Sequence, residues 1–499
     1  MRFYAVRSRL PPAQPLSRAS GDHHDRGAAD RARPLPEDVA HWHPIEGTPE
    51  KKRVAIGCSI GATIETYDFI GFGTAAALYF NNVFFPASDP LSGTLLSFAT
   101  LGIGFAVRPL GGILGGYLGD KIGRKPVLVG SLFLMGFATV LIGVLPTYQM
   151  VGVWAPILLV IVRVVQGLAF GAEWGGAILM VFEHAPWRKR GLYTGITQAG
   201  FPVGLLLANL AFLASVPLGD QWAWRVPFLL SAVLIVVGII IRLKIDESPE
   251  FEELKEEGQL AKNPILEVLR DDWRNVLRAF CLRVAETAGY AVSVTFMLSY
   301  LTREKLADRP TTLTALMVAA ALGIVATVCW GALTDRIGRR PVYLLGTVLT
   351  LLWGVPLFLT VNTGARLAII VAFIISYAVC QNSLAGVQGA WFSELFSAKT
   401  RTSGASMSYQ LSAVVSGFTP LIATALYSRT GWIGPALLFS CYGLLGLIAT
   451  LVTRETWGPA EREHVALLER EIMRERETGR SVVPEGASWA HRMEAETTK

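Results

Sequence analysis

Residues Gly116 to Pro126 read GYLGDKIGRKP, and residues Gly331 to Pro341 read GALTDRIGRRP, 215 positions later and in register. A second echo pairs EHAPWRKR (Glu183 to Arg190) with ELFSAKTR (Glu394 to Arg401). Two copies of one extended unit account for both echoes. Each copy of the first motif is a short charged turn between two long apolar runs, so the unit it belongs to is a set of hydrophobic segments.

Spanning a hydrocarbon core of about 30 Å takes about 20 helical residues, and apolar runs of that length recur along the chain. The runs predict spans near 54–80, 93–117, 126–145, 156–182, 191–215 and 226–243, then 276–301, 311–333, 341–361, 366–393, 404–427 and 432–453. That is six, a break, and six. The expectation is an all-α membrane protein of twelve transmembrane helices in two pseudo-symmetric six-helix bundles, 54–243 and 276–453. Residues 1–53 are expected to be a disordered tail without a signal peptide. The Glu- and Lys-rich 244–275 should form amphipathic linker helices, and 454–499 a charged tail with a solvated helix.

Composition agrees. In 499 residues, 52% are hydrophobic and 17% charged, outside the range of soluble globular chains. The net charge of +6 lies in short clusters between apolar segments, which argues for membrane topology and against nucleic acid. Cys58, Cys281, Cys329, Cys380 and Cys441 sit inside apolar runs with no metal or redox spacing, and the tail histidines His23, His24, His41 and His43 match no metal site. Lys121, Arg124 and Lys125, then Arg188, Lys189 and Arg190, mark alternate loops of the first half, whereas the opposite loops carry only Arg225. By the positive-inside rule both termini face the cytoplasm of a cell-membrane protein. Arg303, Lys305 and Arg309 in the second half fall on the outer side and break the pattern.

The repeated turn has a mechanical reading. Gly116 and Gly123 let helices turn and pack closely, while Asp120, Arg124 and Lys125 place charges in a thin interface. Asp120 is expected to accept hydrogen bonds at a neighbouring helix N-terminus, and Arg124 to pair with Glu183. Asp335, Gly338, Arg339, Arg340 and Glu394 repeat the set, and the first copy is expected to weigh more.

This double motif resembles the signature loop of the major facilitator superfamily. IETYDF (Ile64 to Phe69), FNNVFFPASDPLSGTLLSFATLGIGFAVRPLGG (Phe80 to Gly112), RVVQGLAFGAEWGGA (Arg163 to Ala177) and WRVPFLLS (Trp224 to Ser231) narrow it to the metabolite:proton symporter family. The resemblance covers roughly residues 54–453. It implies the major facilitator fold and import of carboxylates, shikimate-like acids, or proline and betaine. Thr66 departs from the family, which commonly has Trp there, so an aromatic wall on span one is in doubt.

Glu65 and Asp68 fall near the middle of span one and, three apart, share a face. Each costs about 2.5–3.5 kcal/mol at a helix centre, so they line a cavity or pair. Either they carry the coupled proton, or they form a structural charge pair with Arg108 or Arg163. Arg108, Arg163 and Gln166 face the interior, and an arginine fork suits a carboxylate, so an anionic or zwitterionic organic substrate is expected. The alternative is neutralisation of a helix acid such as Glu173. Arg283 and Glu286 on span seven repeat this ambiguity. Tyr67, Trp174 and Gln388 are candidate substrate contacts, as are Tyr290, Gln381, Asn382, Trp391, Tyr409 and Gln410. Any of these also serves as helix–helix glue.

No phosphate-cradling loop is present, so an ion gradient is the energy source expected, with no cofactor. His184 beside Glu183 lacks the partners of a hydrolytic or metal site, which argues against an enzyme. The reading is a monomeric importer, driven by protons through alternating access. A substrate sensor would be favoured by loss of the midplane acids, which are present, and an exporter shares the fold and motif.

Overall fold

The computed structural model describes residues 51–122, 124–171, 174–243, 268, 270, 272–396, 401–463, 465–467 and 470. At 116, 117, 119–122, 124–126, 128, 174–177, 241–243 and 402 it describes the backbone alone. The expected tail, to residue 50, and nearly all of the linker lie outside the described residues.

Twelve long helices follow in order, and no strand occurs among the described residues. In the first half these are α1 (Lys51–Leu78), α2 (Pro90–Ala106, continued by Arg108–Ile122), α3 (Arg124–Val144), α4 (Trp154–Gly171 and Trp174–His184), α5 (Arg190–Gln198 and Gly200–Ser215) and α6 (Arg225–Leu243). The second half begins with α7, which runs Trp273–Tyr290, passes through a π-helical turn at Ala291–Phe296 and ends as Met297–Arg303. It continues with α8 (Arg309–Ile337), α9 (Arg339–Val361), α10 (Arg366–Ile374, a π-helical stretch Ile375–Gln381, and Asn382–Leu395), α11 (Arg401–Thr430) and α12 (Ile433–Val452). Each expected span falls on one of these.

Nine of the twelve, among the described residues, are long and apolar enough to cross a bilayer by composition, and α3 holds a shorter apolar stretch, Val129–Val144. The two remaining, α1 and α7, are long but carry buried charges, Glu65 and Asp68 on one and Arg283 on the other. Large apolar side chains cover the outward surface: Phe133 is 56% exposed, Leu352 65% and Leu367 73%. In water such a belt would cost stability, whereas in lipid it is the solvent-facing surface.

The helix entries follow local chemistry. Asp89 caps α2, its Oδ1 accepting from the amides of Leu91 (3.0 Å) and Ser92 (3.1 Å), with Pro90 at the first turn. Asp308 caps α8 in the same way through the Thr311 amide at 3.0 Å. Within the first half, α2 and α4 touch backbone to backbone. A Cβ on Gly167 would lie 2.1 Å from the Gly104 carbonyl oxygen, and one on Gly111 would lie 2.1 Å from that of Leu168. These glycines serve tight packing.

The halves meet along α2 against α11 and α5 against α8. The end at which α2 turns into α3 and α8 into α9 is the motif end; the far end is where α1 finishes at Leu78 and α8 begins at Arg309. Gly167→Ala should cut abundance by more than half and lower the detergent melting temperature by several degrees, because overpacking a close contact costs about 1–3 kcal/mol. Gly130, whose added Cβ meets nothing within 4 Å, should tolerate the same change. Melting curves of the two variants check this, and equal behaviour would contradict it.

Candidate functional site: buried charges between two six-helix halves

At the centre of the first half Asp68 is 2% exposed, and its Oδ2 accepts from the Thr139 hydroxyl of α3 at 2.9 Å. Its Oδ1 is buried with no hydrogen-bond partner. Thr139 in turn accepts from Gln166 Nε2 on α4 at 2.7 Å, and Gln166 Oε1 accepts from Arg163. Acid and arginine are therefore joined through two neutral side chains. This corrects the direct ion pair weighed for Asp68. Thr139, a hydroxyl in an apolar run, was not singled out from the sequence.

The two buried arginines of this half are held by ring faces. Arg108 lies 3.7 Å from the Phe170 ring centroid and 4.0 Å from that of Phe105. Arg163 lies 4.0 Å from the Phe72 centroid. Such contacts hold a guanidinium without consuming its donors. Arg108 Nε and Arg163 Nε and Nη2 are buried without hydrogen-bond partners. Glu65, Asp68, Arg108, Arg163 and Gln166 line one cavity of about 10 Å³, room for about one water molecule. The bundle is thus closed around its charges.

Tyr67 departs from its expected role. Its hydroxyl donates to the Pro227 carbonyl oxygen at 2.6 Å, so the side chain ties α1 to α6 instead of lining that cavity. Adjacent helix positions point about 100° apart, which takes Tyr67 away from the face of Asp68.

The second half carries its own charge cluster. Arg283 pairs with Glu286 Oε2 at 2.5 Å, donates to Gln388, and stacks 4.1 Å from the Tyr409 centroid. Gln388 Nε2 donates to the Tyr343 hydroxyl at 3.0 Å, which donates to the Leu282 carbonyl at 2.7 Å. Arg283 and Glu286 thus stand as an ion pair in this structure. Nearby, the Tyr290 hydroxyl and both amide atoms of Gln381 are buried without partners. They stand at the π-helical stretches of α7 and α10, where the Tyr290 and Tyr377 rings are 5.9 Å apart.

At the motif end the side chains of Gly116, Asp120, Arg124, Lys125 and Trp174, together with Gly123 and Glu173, lie outside the described residues, and the described Glu183 is half-buried. The second copy is described in full. Asp335 accepts from the amides of Gly191 and Leu192 at 2.9 Å each, at the start of α5 in the other half. The contact with a helix N-terminus expected of each aspartate is therefore made by the second, across the seam. Arg339, fully buried, bonds Asp335 at 2.7 Å and reaches Glu394 through Nε (3.3 Å) and Nη2 (3.1 Å). Gly338 turns α8 into α9 at φ 104°, a left-handed conformation that glycine adopts without strain.

Three further features escaped the sequence reading. Glu455, just after α12, accepts from the Arg339 amide at 3.0 Å and the Arg340 amide at 2.9 Å, capping α9. Trp457 donates to the Asp335 carbonyl at 3.0 Å and packs with Trp187 of the first half. The polar Arg454-Glu455-Thr456-Trp457 run ending the last apolar span is the available signal, masked by the charge of the tail. Third, Gln198 on α5 donates to the Ala385 carbonyl at 3.2 Å. Gln410 on α11, expected as a polar contact or as helix–helix glue, donates to the Gly171 carbonyl at 3.1 Å. Each tie crosses from one half to the other. His184 Nδ1 lies 2.8 Å from the Met180 carbonyl of its own helix.

A family model described as Major Facilitator Superfamily matches residues 60–380 and 288–491. The shikimate transporter of Escherichia coli (strain K12) is 38% identical over 426 residues, covering 83% of this chain and 97% of that one. The proline/betaine transporter of the same organism is 32% identical over 423 residues, covering 81% and 84%. In structure the chain is similar to a partially occluded, inward-open form of the xylose transporter XylE from E. coli, with TM-score 0.63 and 17% identity over 82% of this chain and 99% of that one. The fold, the doubled turn and these relatives place the chain in the major facilitator superfamily, as a membrane transporter of the group that includes the shikimate and proline/betaine carriers.

Proposed function

We propose that the chain is a monomeric proton symporter that imports a small organic acid or zwitterion across the cell membrane, with the motif end and both termini cytoplasmic. The observation that carries this reading is Asp68. A carboxylate buried at mid-span, with one oxygen unpartnered and no arginine in direct contact, is expensive as a charge and inexpensive as a neutral acid. Gain and loss of its proton therefore changes the cost of closing the bundle, which is what coupling needs.

Arg108 and Arg163 supply the substrate side. Stacked guanidiniums with unused donors suit the planar fork of a carboxylate. The unpartnered groups of Tyr290 and Gln381 suit hydroxyls or a second polar end. The relatives named for shikimate and for proline and betaine all concern substrates with a carboxylate, which supports the class and leaves its member to experiment.

In proteoliposomes with an inward proton gradient, one of shikimate, proline or glycine betaine should accumulate, and adding it outside should acidify the interior. Saturable binding without uptake would identify a sensor, and uphill efflux alone an exporter.

Replacing Asp68 by Asn should preserve substrate exchange at normal abundance and abolish gradient-driven accumulation, a loss of at least tenfold. Undiminished accumulation would move the coupling site to Glu65 or Glu286, tested as Glu65→Gln and Glu286→Gln. Arg108→Gln with Arg163→Gln should raise the half-saturating substrate concentration at least tenfold, and an unchanged value would remove the basis for an anionic group on the substrate.

Asp335→Asn keeps the size and loses the charge that holds two amides of the opposite half. Uptake should fall severalfold with abundance intact. Full uptake would mean that the contact does not bias the cycle.

A further inference from the structure

Arg309 is placed against three general rules. It lies at the far end, which the positive-inside rule disfavours for a short basic cluster on the reading that the far end is external. It occupies the first position of α8, where the helix dipole disfavours a cation. It is also largely buried, with its side chain 28% exposed. The turn itself does not require it, because Asp308 and Pro310 already cap and start the helix.

What Arg309 touches belongs to the other half. Its Nη2 donates to the Leu78 carbonyl oxygen at 3.1 Å, and its guanidinium lies 4.6 Å from the Tyr79 ring centroid. Leu78 is the last residue of α1, and the final carbonyls of a helix have no partner within it. A cation from the opposite half thus completes the C-terminus of α1, the pole at which positive charge is favoured. Its Nη1 also reaches Asp220 Oδ1 at 2.9 Å. Asp220 is 82% exposed, so that pair is screened and counts for little.

The two ends of the seam are held differently. Between the motif end and mid-span, Asp335, Gln198 and Gln410 all hydrogen-bond across it. At the far end, among the described residues, Arg309 is the side chain that does so, beside apolar contacts such as Gly73 on Thr295.

We propose that Arg309 is the clasp of the far end, a positioning residue whose hold on the α1 terminus sets how often the transport path opens on that side. It deepens the alternating-access reading and rests on the far end being external. Opening breaks the Leu78 contact and frees both groups to water, so the clasp tunes the equilibrium without locking it.

The test uses a cysteine-free chain carrying Thr295→Cys, a position buried against Gly73 at the seam, and a membrane-impermeant maleimide added to right-side-out vesicles. Arg309→Gln should raise the labelling rate about tenfold, the scale of losing a hydrogen bond to a charged group. Asp220→Asn should change it less than twofold. An unchanged rate at normal abundance in vesicles of both orientations overturns the proposal. If Arg309→Gln is poorly produced, Arg309→Lys and Tyr79→Leu should each raise the rate two- to fivefold, and no rise in either overturns it. A rise seen only in inside-out vesicles would keep the clasp and reverse the orientation. A merely structural role would lower the melting temperature and leave the rate where it was.

Discussion

Charge placed among lipid-spanning helices must be compensated locally or removed by a proton, and that constraint orders the centre of this molecule. The helices too polar to count as spans by composition, α1 and α7, bring the acids Glu65 and Asp68 and the arginine Arg283 to the middle, while Arg108 and Arg163 come from the apolar spans α2 and α4. Each half answers the constraint differently. In the second half, Arg283 and Glu286 neutralise each other directly. In the first, Asp68 and Arg163 are kept apart by Thr139 and Gln166, so they form no direct ion pair. A satisfied pair suits scaffold and an unsatisfied one suits work, which is why the proposed coupling sits on α1.

The seam between the halves follows from the same economy of polar groups. A helix start exposes amides that need acceptors, and Asp335 provides them for α5 from across the boundary. A helix end exposes carbonyls that need donors, and Arg309 provides one for α1. Both contacts join groups that water would satisfy almost as well once the halves part. Their net worth is therefore small, and that keeps the closed and open forms close enough in free energy to interconvert. Behind Asp335 stands a rigid assembly: Arg339 fixes the carboxylate, Glu394 and Glu455 fix Arg339 and its helix, and Trp457 packs over the turn.

The fold was legible because lipid imposes a long, uniform signal: about twenty apolar residues per span, charged turns between them, and a duplicated motif to set the register. Side-chain partners were less legible. The face shared by Glu65 and Asp68 was correct as geometry, but whether Asp68 paired with an arginine depended on Thr139 and Gln166, two helices away. Tyr67 looked like a binding residue from its neighbours, yet its hydroxyl is spent on Pro227. Gln198 and Trp457 carry no local pattern, since their partners lie in the opposite half or beyond the last span. Arg309 was visible only as an exception to the charge rule, and its contacts supply a reason for that exception.

Alternating exposure of a closed central site is the claim on which the rest stands. Paired spin labels at Arg188 and Arg336 on the motif end, and at Trp222 and Arg303 on the far end, would report both distances in one lipid-reconstituted sample by double electron–electron resonance. With protons and transported substrate, the account predicts that the motif-end distance lengthens while the far-end distance stays short. Lengthening of both together, or of neither during uptake, would contradict it.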